Sequence, residues 1–112
     1  MTSHQLPPGE ALLLETLISP AEHGISSRVL AKKAGGTVTL FAFDTGESLS
    51  EHTSPFDALV LVLEGAFRLT VGGDVVDALP GRIVRMPALV PHAVEASQPS
   101  RMLLIMLRES AN

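Results

Sequence analysis

A chain of 112 residues, 46% apolar and only 18% charged, has room for one domain around one core, and its composition excludes a disordered polymer. A net charge of −4 and scattered cations with no tyrosine or tryptophan between them argue against a nucleic-acid surface. The lack of cysteine rules out disulfides and thiolate metal sites.

The N-terminus, Met1 to Pro8, has no basic region and no long apolar run. No secretory leader or membrane-spanning segment is visible, so a cytoplasmic protein is expected. Pro8 to Ile18 reads two ways. Two prolines ahead of Gly9 suit the first turn of a helix, but the segment is short enough for a strand or an extended arm, which is the expected form. His4 and His23 fall in polar or turn segments and read as solvated.

Short apolar runs then alternate with turn signals about every eight to twelve residues, the rhythm of an all-β sandwich or barrel. The runs are Ala11 to Ile18 within that segment, then Ile25 to Ala31, Thr37 to Phe43, Ala58 to Leu63, Ala66 to Val71, Val75 to Leu79, Ile83 to Met86, His92 to Ala96 and Met102 to Leu107. The turn signals include Ser19-Pro20, Gly35-Gly36, Gly72-Gly73 and Pro80-Gly81. Gly72-Gly73 suits a tight hairpin, which needs positive φ, and Pro80-Gly81 suits a type II turn.

Ala58 to Leu63 and Met102 to Leu107 are apolar at every position. A strand with one wet face alternates apolar and polar residues, so both faces of these two need cover. One face lines a barrel interior. The other must meet the N-terminal segment or a second subunit, and a homodimer is expected.

Two stretches carry the resemblance. The first runs from Gly46 through His52, Ser54, Pro55, Asp57 and Ala58 to Gly65; the second is Gly81 through Pro87 and Pro91 to His92. In order and separation they resemble the two motifs of the small single-domain cupins. The likeness covers about Thr37 to Arg108. It implies an all-β, double-stranded β-helix barrel of jelly-roll type, with at most a short helix or arm at the N-terminus. Residues 1–36 would form an arm and first strands of the same domain, 37–108 the barrel, and 109–112 a tail.

In metal-binding cupins three histidines and a carboxylate share the cavity. The resemblance carries His52 and His92 over as ligands. The second histidine of the first motif falls on Ser54 and the carboxylate position on Ala58, and the glycine often found in the second motif is Leu89. Asp57 is adjacent, but in a regular strand it faces away from position 58; a bulge could turn it inward. Glu51 is the other candidate for a third ligand. The cavity wall is expected from Phe41, Phe43, Ser54, Ala58, Val60, Met86, Met102 and Met106. Arg85 could pair with a carboxylate ligand, although arginine at a strand end is more often a surface ion pair.

Catalytic zinc takes three protein ligands and structural zinc four, whereas iron oxygenase sites take two histidines and a carboxylate. Two readings therefore stand open. His52 and His92 are relics hydrogen-bonded to each other, to Ser54 or to water, or they hold a weakly bound divalent transition metal (Zn, Ni, Fe or Mn) completed by a carboxylate or water. The functions that follow are a small-molecule-binding module, a metal-dependent enzyme of the dioxygenase, isomerase or decarboxylase kind, or a structural dimer. Loss of two ligand positions favours the binding module. No phosphate loop or dinucleotide fingerprint is present, and Ser54 lacks the partners of a serine nucleophile.

Overall fold

The computed structural model describes residues 5–19 and 22–109. His4, Pro20 of the Ser19-Pro20 turn and the end of the tail lie outside the described residues. The described residues form nine strands: β1 (Ile25–Lys33), β2 (Gly36–Phe43), β3 (Ser48–His52), β4 (Asp57–Glu64), β5 (Phe67–Val71), β6 (Asp74–Ala78), β7 (Ile83–Met86), β8 (His92–Ala96) and β9 (Ser100–Leu107). All pairings are antiparallel. One sheet has the order β1-β2-β9-β4-β7 and the other β3-β8-β5-β6. Among the described residues no helix is long and apolar enough to cross a membrane.

Eight strands coincide with the apolar runs. The ninth, β3, has the sequence Ser-Leu-Ser-Glu-His and a single apolar residue, Leu49. It lies at the edge of its sheet, pairs only with β8, and is mostly exposed. An edge strand with so little to bury has no hydrophobic signature, and pairing rather than pattern makes it a strand.

Turn chemistry sets the hairpins. Gly72 and Gly73 both take positive φ, 59° and 91°, between β5 and β6, the backbone of a type I′ turn. Leu79 and Arg82 close the Pro80-Gly81 turn through an N–H···O bond of 3.0 Å. Gly65 has a different reason. Its φ is 77°, and a Cβ there would stand 2.1 Å from Ser100 Oγ and 2.5 Å from Pro99 O. Glycine lets the β4–β5 turn press against buried Ser100, whose hydroxyl accepts the Ala66 N–H at 3.0 Å.

The two inner faces make one core. Phe43 and Phe67 meet edge to face with centroids 5.1 Å apart, and Val60, Val62, Leu69, Val94 and Met102 close around them. Each such side chain contributes about 1.5–3 kcal/mol on burial.

Residues 5–19 form the arm, which carries no strand and bends at Pro8–Gly9 and at a 3-10 turn over Leu14–Thr16. Bonds that tie it to the larger sheet include Leu6 N–H to Leu30 O at 2.9 Å, Lys32 N–H to Gln5 Oε1 at 3.1 Å, Arg28 to Leu17 O at 3.3 Å and Arg101 to Ile18 O at 3.2 Å. Arg101 also pairs with Glu64. Leu30, Leu40 and Ala42 are buried yet lie apart from the barrel core, on the outer face. Farther across that face, Leu59, Leu61, Leu103 and Ile105 are only half covered, and Ile83 is 58% exposed.

Candidate metal and ligand site

The site is built where β3 meets β8. In β8, His92 and Val94 share a face because side chains alternate along a strand. In β3, Leu49 pairs with Val94 and His52 with His92, so the register slips by one residue between them. That extra residue is a β-bulge. Without it Glu51 would stand opposite His92 and His52 would face away. The bulge turns His52 into the barrel beside Leu49, and this re-aiming of a side chain is a common use of bulges.

The two imidazoles touch. Their centroids are 4.4 Å apart with planes at 67°, and Nε2 to Nε2 is 3.2 Å. His92 is 5% exposed, while His52 is open to solvent. His52 Nδ1 lies 2.8 Å from Ser50 O, and His92 Nδ1 lies 3.2 Å from Val90 O. Carbonyl oxygens only accept, so a ring that bonds its carbonyl carries the hydrogen on Nδ1 and donates. Neutral, the two rings then face each other with bare Nε2 lone pairs. In that tautomer both Nε2 atoms are acceptors, and a cation between them would make the contact attractive. Carbonyl-bonded Nδ1–H groups are also the usual way to fix a metal-binding tautomer.

Behind the pair lies a cavity of about 60 Å³, lined by Leu49, His52, Ser54, Ala58, Met86, His92, Val94, Met102, Leu104 and Met106. Five expected wall residues, Ser54, Ala58, Met86, Met102 and Met106, line it. Phe41, Phe43 and Val60 do not: Phe43 and Val60 are fully buried in the core and Phe41 packs against it. They share the inward parity; Phe43 lies farther along its strand, whereas Phe41 and Val60 stand level with Met102 and Leu104 and pack with the core. Val94 and Leu104 were legible from parity with His92 and Met102. Leu49 was not, because the bulge breaks the alternation that would link it to His52.

Neither carboxylate candidate reaches the cavity. Asp57 accepts the Ala88 N–H at 2.8 Å and pairs with Arg85 at 3.2 Å. The β4–β9 register is regular there, Asp57 opposite Leu107 and Ala58 opposite Met106, so no bulge turns Asp57 inward. The Ala88 amide, and then Arg85, hold its carboxyl below the usual carboxylate range. Glu51 is exposed on β3. Among the described residues no cluster of three or more His, Cys, Asp or Glu could hold an ion. Ser54, on its loop, uses its hydroxyl to accept the Phe56 N–H at 3.0 Å. His23 is exposed, its backbone N–H bonded to Asp44 at 2.8 Å.

Two nitrogens 3.2 Å apart are spaced like adjacent corners of a tetrahedral or octahedral shell with bonds of about 2.1 Å. The pair therefore fits two ligands of a transition metal, and the cavity offers only the Ser54 hydroxyl beside them.

Residues 39–107 match the family described as the Cupin domain. The chain belongs to the cupin family. A cupin superfamily protein of Desulfitobacterium hafniense is 31% identical, with 97% of this chain and 100% of that one covered and a TM-score of 0.87. A conserved protein of unknown function from Streptococcus pyogenes is 28% identical over 99% and 98%, with a TM-score of 0.89. A cupin 2 conserved barrel domain protein from Leptotrichia buccalis is 36% identical, covering 84% of this cupin and 46% of that chain, with a TM-score of 0.80. No curated protein matches this cupin in sequence.

Proposed function

We propose that this cupin binds a small organic molecule in its barrel, against a reduced metal site made of His52 and His92. The observation that carries the reading is the facing Nε2 pair, 3.2 Å apart at the wall of a cavity otherwise lined almost wholly by apolar side chains. Two buried-side lone pairs give a polar ligand or an ion something to meet, and the apolar wall favours a hydrocarbon body. Ser54 and Ala58 stand where the family's other ligands would be, so a divalent transition metal is held weakly. When bound, such a metal supplies a Lewis-acid centre for a ligand oxygen. The chain's part is to hold both imidazoles in one tautomer and keep the rest of the wall dry. Calorimetry with Ni²⁺ or Zn²⁺ on chelator-treated protein tests the site. Binding no tighter than micromolar is expected; a full equivalent surviving dialysis against chelator would sink the reduced-site reading.

The working unit is a homodimer. The support is the outer face of the larger sheet, where Leu59, Leu61, Leu103 and Ile105 stay only half covered. A second copy supplies matching apolar cover without any new chemistry.

A further inference from the structure

A hollow of about 520 Å³ opens beside the histidine cavity, at the end of the barrel where the β1–β2 turn meets the end of β9. Met106 lines both spaces, and the loop between β3 and β4 serves both: Ser54 faces the inner cavity and Phe56 the outer hollow. Three cations, Lys32, Lys33 and Arg108, stand around the hollow. None has a carboxylate partner among the described residues. The Arg108 guanidinium lies over the Phe56 ring, 4.6 Å from its centroid. That stacking orients a planar fork whose N–H edge suits anionic oxygens.

The cluster opposes the charge of the whole chain, which is −4. Gathering three cations at one rim costs repulsion, which an anion there relieves. The volume falls in the range of ordinary small-molecule sites, about 300–1,000 Å³, whereas the inner cavity of about 60 Å³ admits only a small group. We infer that this hollow is the anion subsite of the ligand site: Lys32, Lys33 and Arg108 take the carboxylate or phosphate of a small organic acid. Its apolar body lies on Phe56 and Met106, and its far end reaches the histidine pair. This rests on the small-molecule reading above and names the ligand class.

The test uses three matched fragment sets with the same apolar bodies: carboxylates, phosphate monoesters and neutral primary amides. Binding to the full chain is followed by NMR at the Met106 methyl and the His52 and His92 rings. Carboxylates or phosphates should bind at least about tenfold tighter than the amides, and the tighter set names the headgroup. The exposed double variant Lys33→Gln/Arg108→Gln should lose that advantage, while Arg68→Gln/Arg82→Gln, the same two-charge change on β5 and the β6–β7 turn, should keep it. Amides that bind as well as the acids, or a double variant that binds acids as tightly as wild type, would overturn the anion subsite and leave the small-molecule reading standing. No binding from any set would overturn both.

Discussion

His52 and His92 are direct cross-strand partners, with Nε2 atoms 3.2 Å apart, because β3 carries one extra residue between Leu49 and His52. The bulge makes the site; the sequence interval alone would put Leu49 and His52 on opposite faces.

Restoring a third ligand should tighten metal binding. Ser54 lines the cavity with both histidines, so Ser54→His adds an imidazole to a pair already held in one tautomer. The gain for Ni²⁺ or Zn²⁺ should be several kcal/mol, on the order of 3, read by calorimetry. An unchanged affinity would mean that position 54 cannot present a ring to the pair.

Leu89 occupies the left-handed region, φ 67°, and is 74% exposed. A leucine there is strained by about 1 kcal/mol or more, and its exposed side chain returns little. Its N–H still bonds to Ser54 O at 2.8 Å, linking the two motif loops. Leu89→Gly keeps that bond and relieves the strain. It should raise stability by about 0.5–1 kcal/mol after the added freedom of the unfolded chain is counted. Urea unfolding decides the point, and a lower midpoint would refute it.

The dimer should respond to charge on the outer face. Ile83, on β7 beside Leu61, is 58% exposed and adds little to the monomer core. Sedimentation of the wild type at micromolar concentration should give twice 11.8 kDa. Ile83→Lys should weaken association about tenfold or more with an unchanged circular dichroism spectrum. A wild type that sediments as a monomer would remove the proposal.

Acid should loosen two loops. The carboxyl of Asp44 is held below its ordinary value of 3.8 by the backbone N–H groups of His23 and Thr45, and that of Asp57 by Ala88 and then Arg85. A carboxylate with a lowered folded value stabilises fully above its unfolded value. It loses that contribution as pH falls below about 3.8 and through the folded value. Between about pH 5 and pH 2 the wild type should therefore lose more stability than Asp57→Asn. Equal losses would show that the Ala88 contact does not hold the charge.

Much of the barrel is legible in the sequence. Alternating apolar residues, glycine turns and two motif intervals are local properties, and they locate eight strands and both histidines. Inward parity also predicts Met86, Met102 and Met106 in the wall, because a strand's period of two holds wherever pairing is regular. What tertiary structure decided lies where that period fails or where depth along a strand matters. The β3 bulge depends on pairing with β8, a partner far along the chain, and the polar residues of β3 carry no trace of it. Phe43 points inward yet sits too deep to reach the cavity, while Phe41 and Val60, level with Met102 and Leu104, pack with the core instead. Asp57 was one residue from the ligand position, and only the regular β4–β9 pairing at Asp57 and Ala58, with the Ala88 amide and Arg85 waiting on the outer side, settled which way it faces. The proposed anion hollow needs Lys32 and Lys33 at the end of β1 and Arg108 just past β9 brought to one rim, a juxtaposition across the chain that no local pattern encodes.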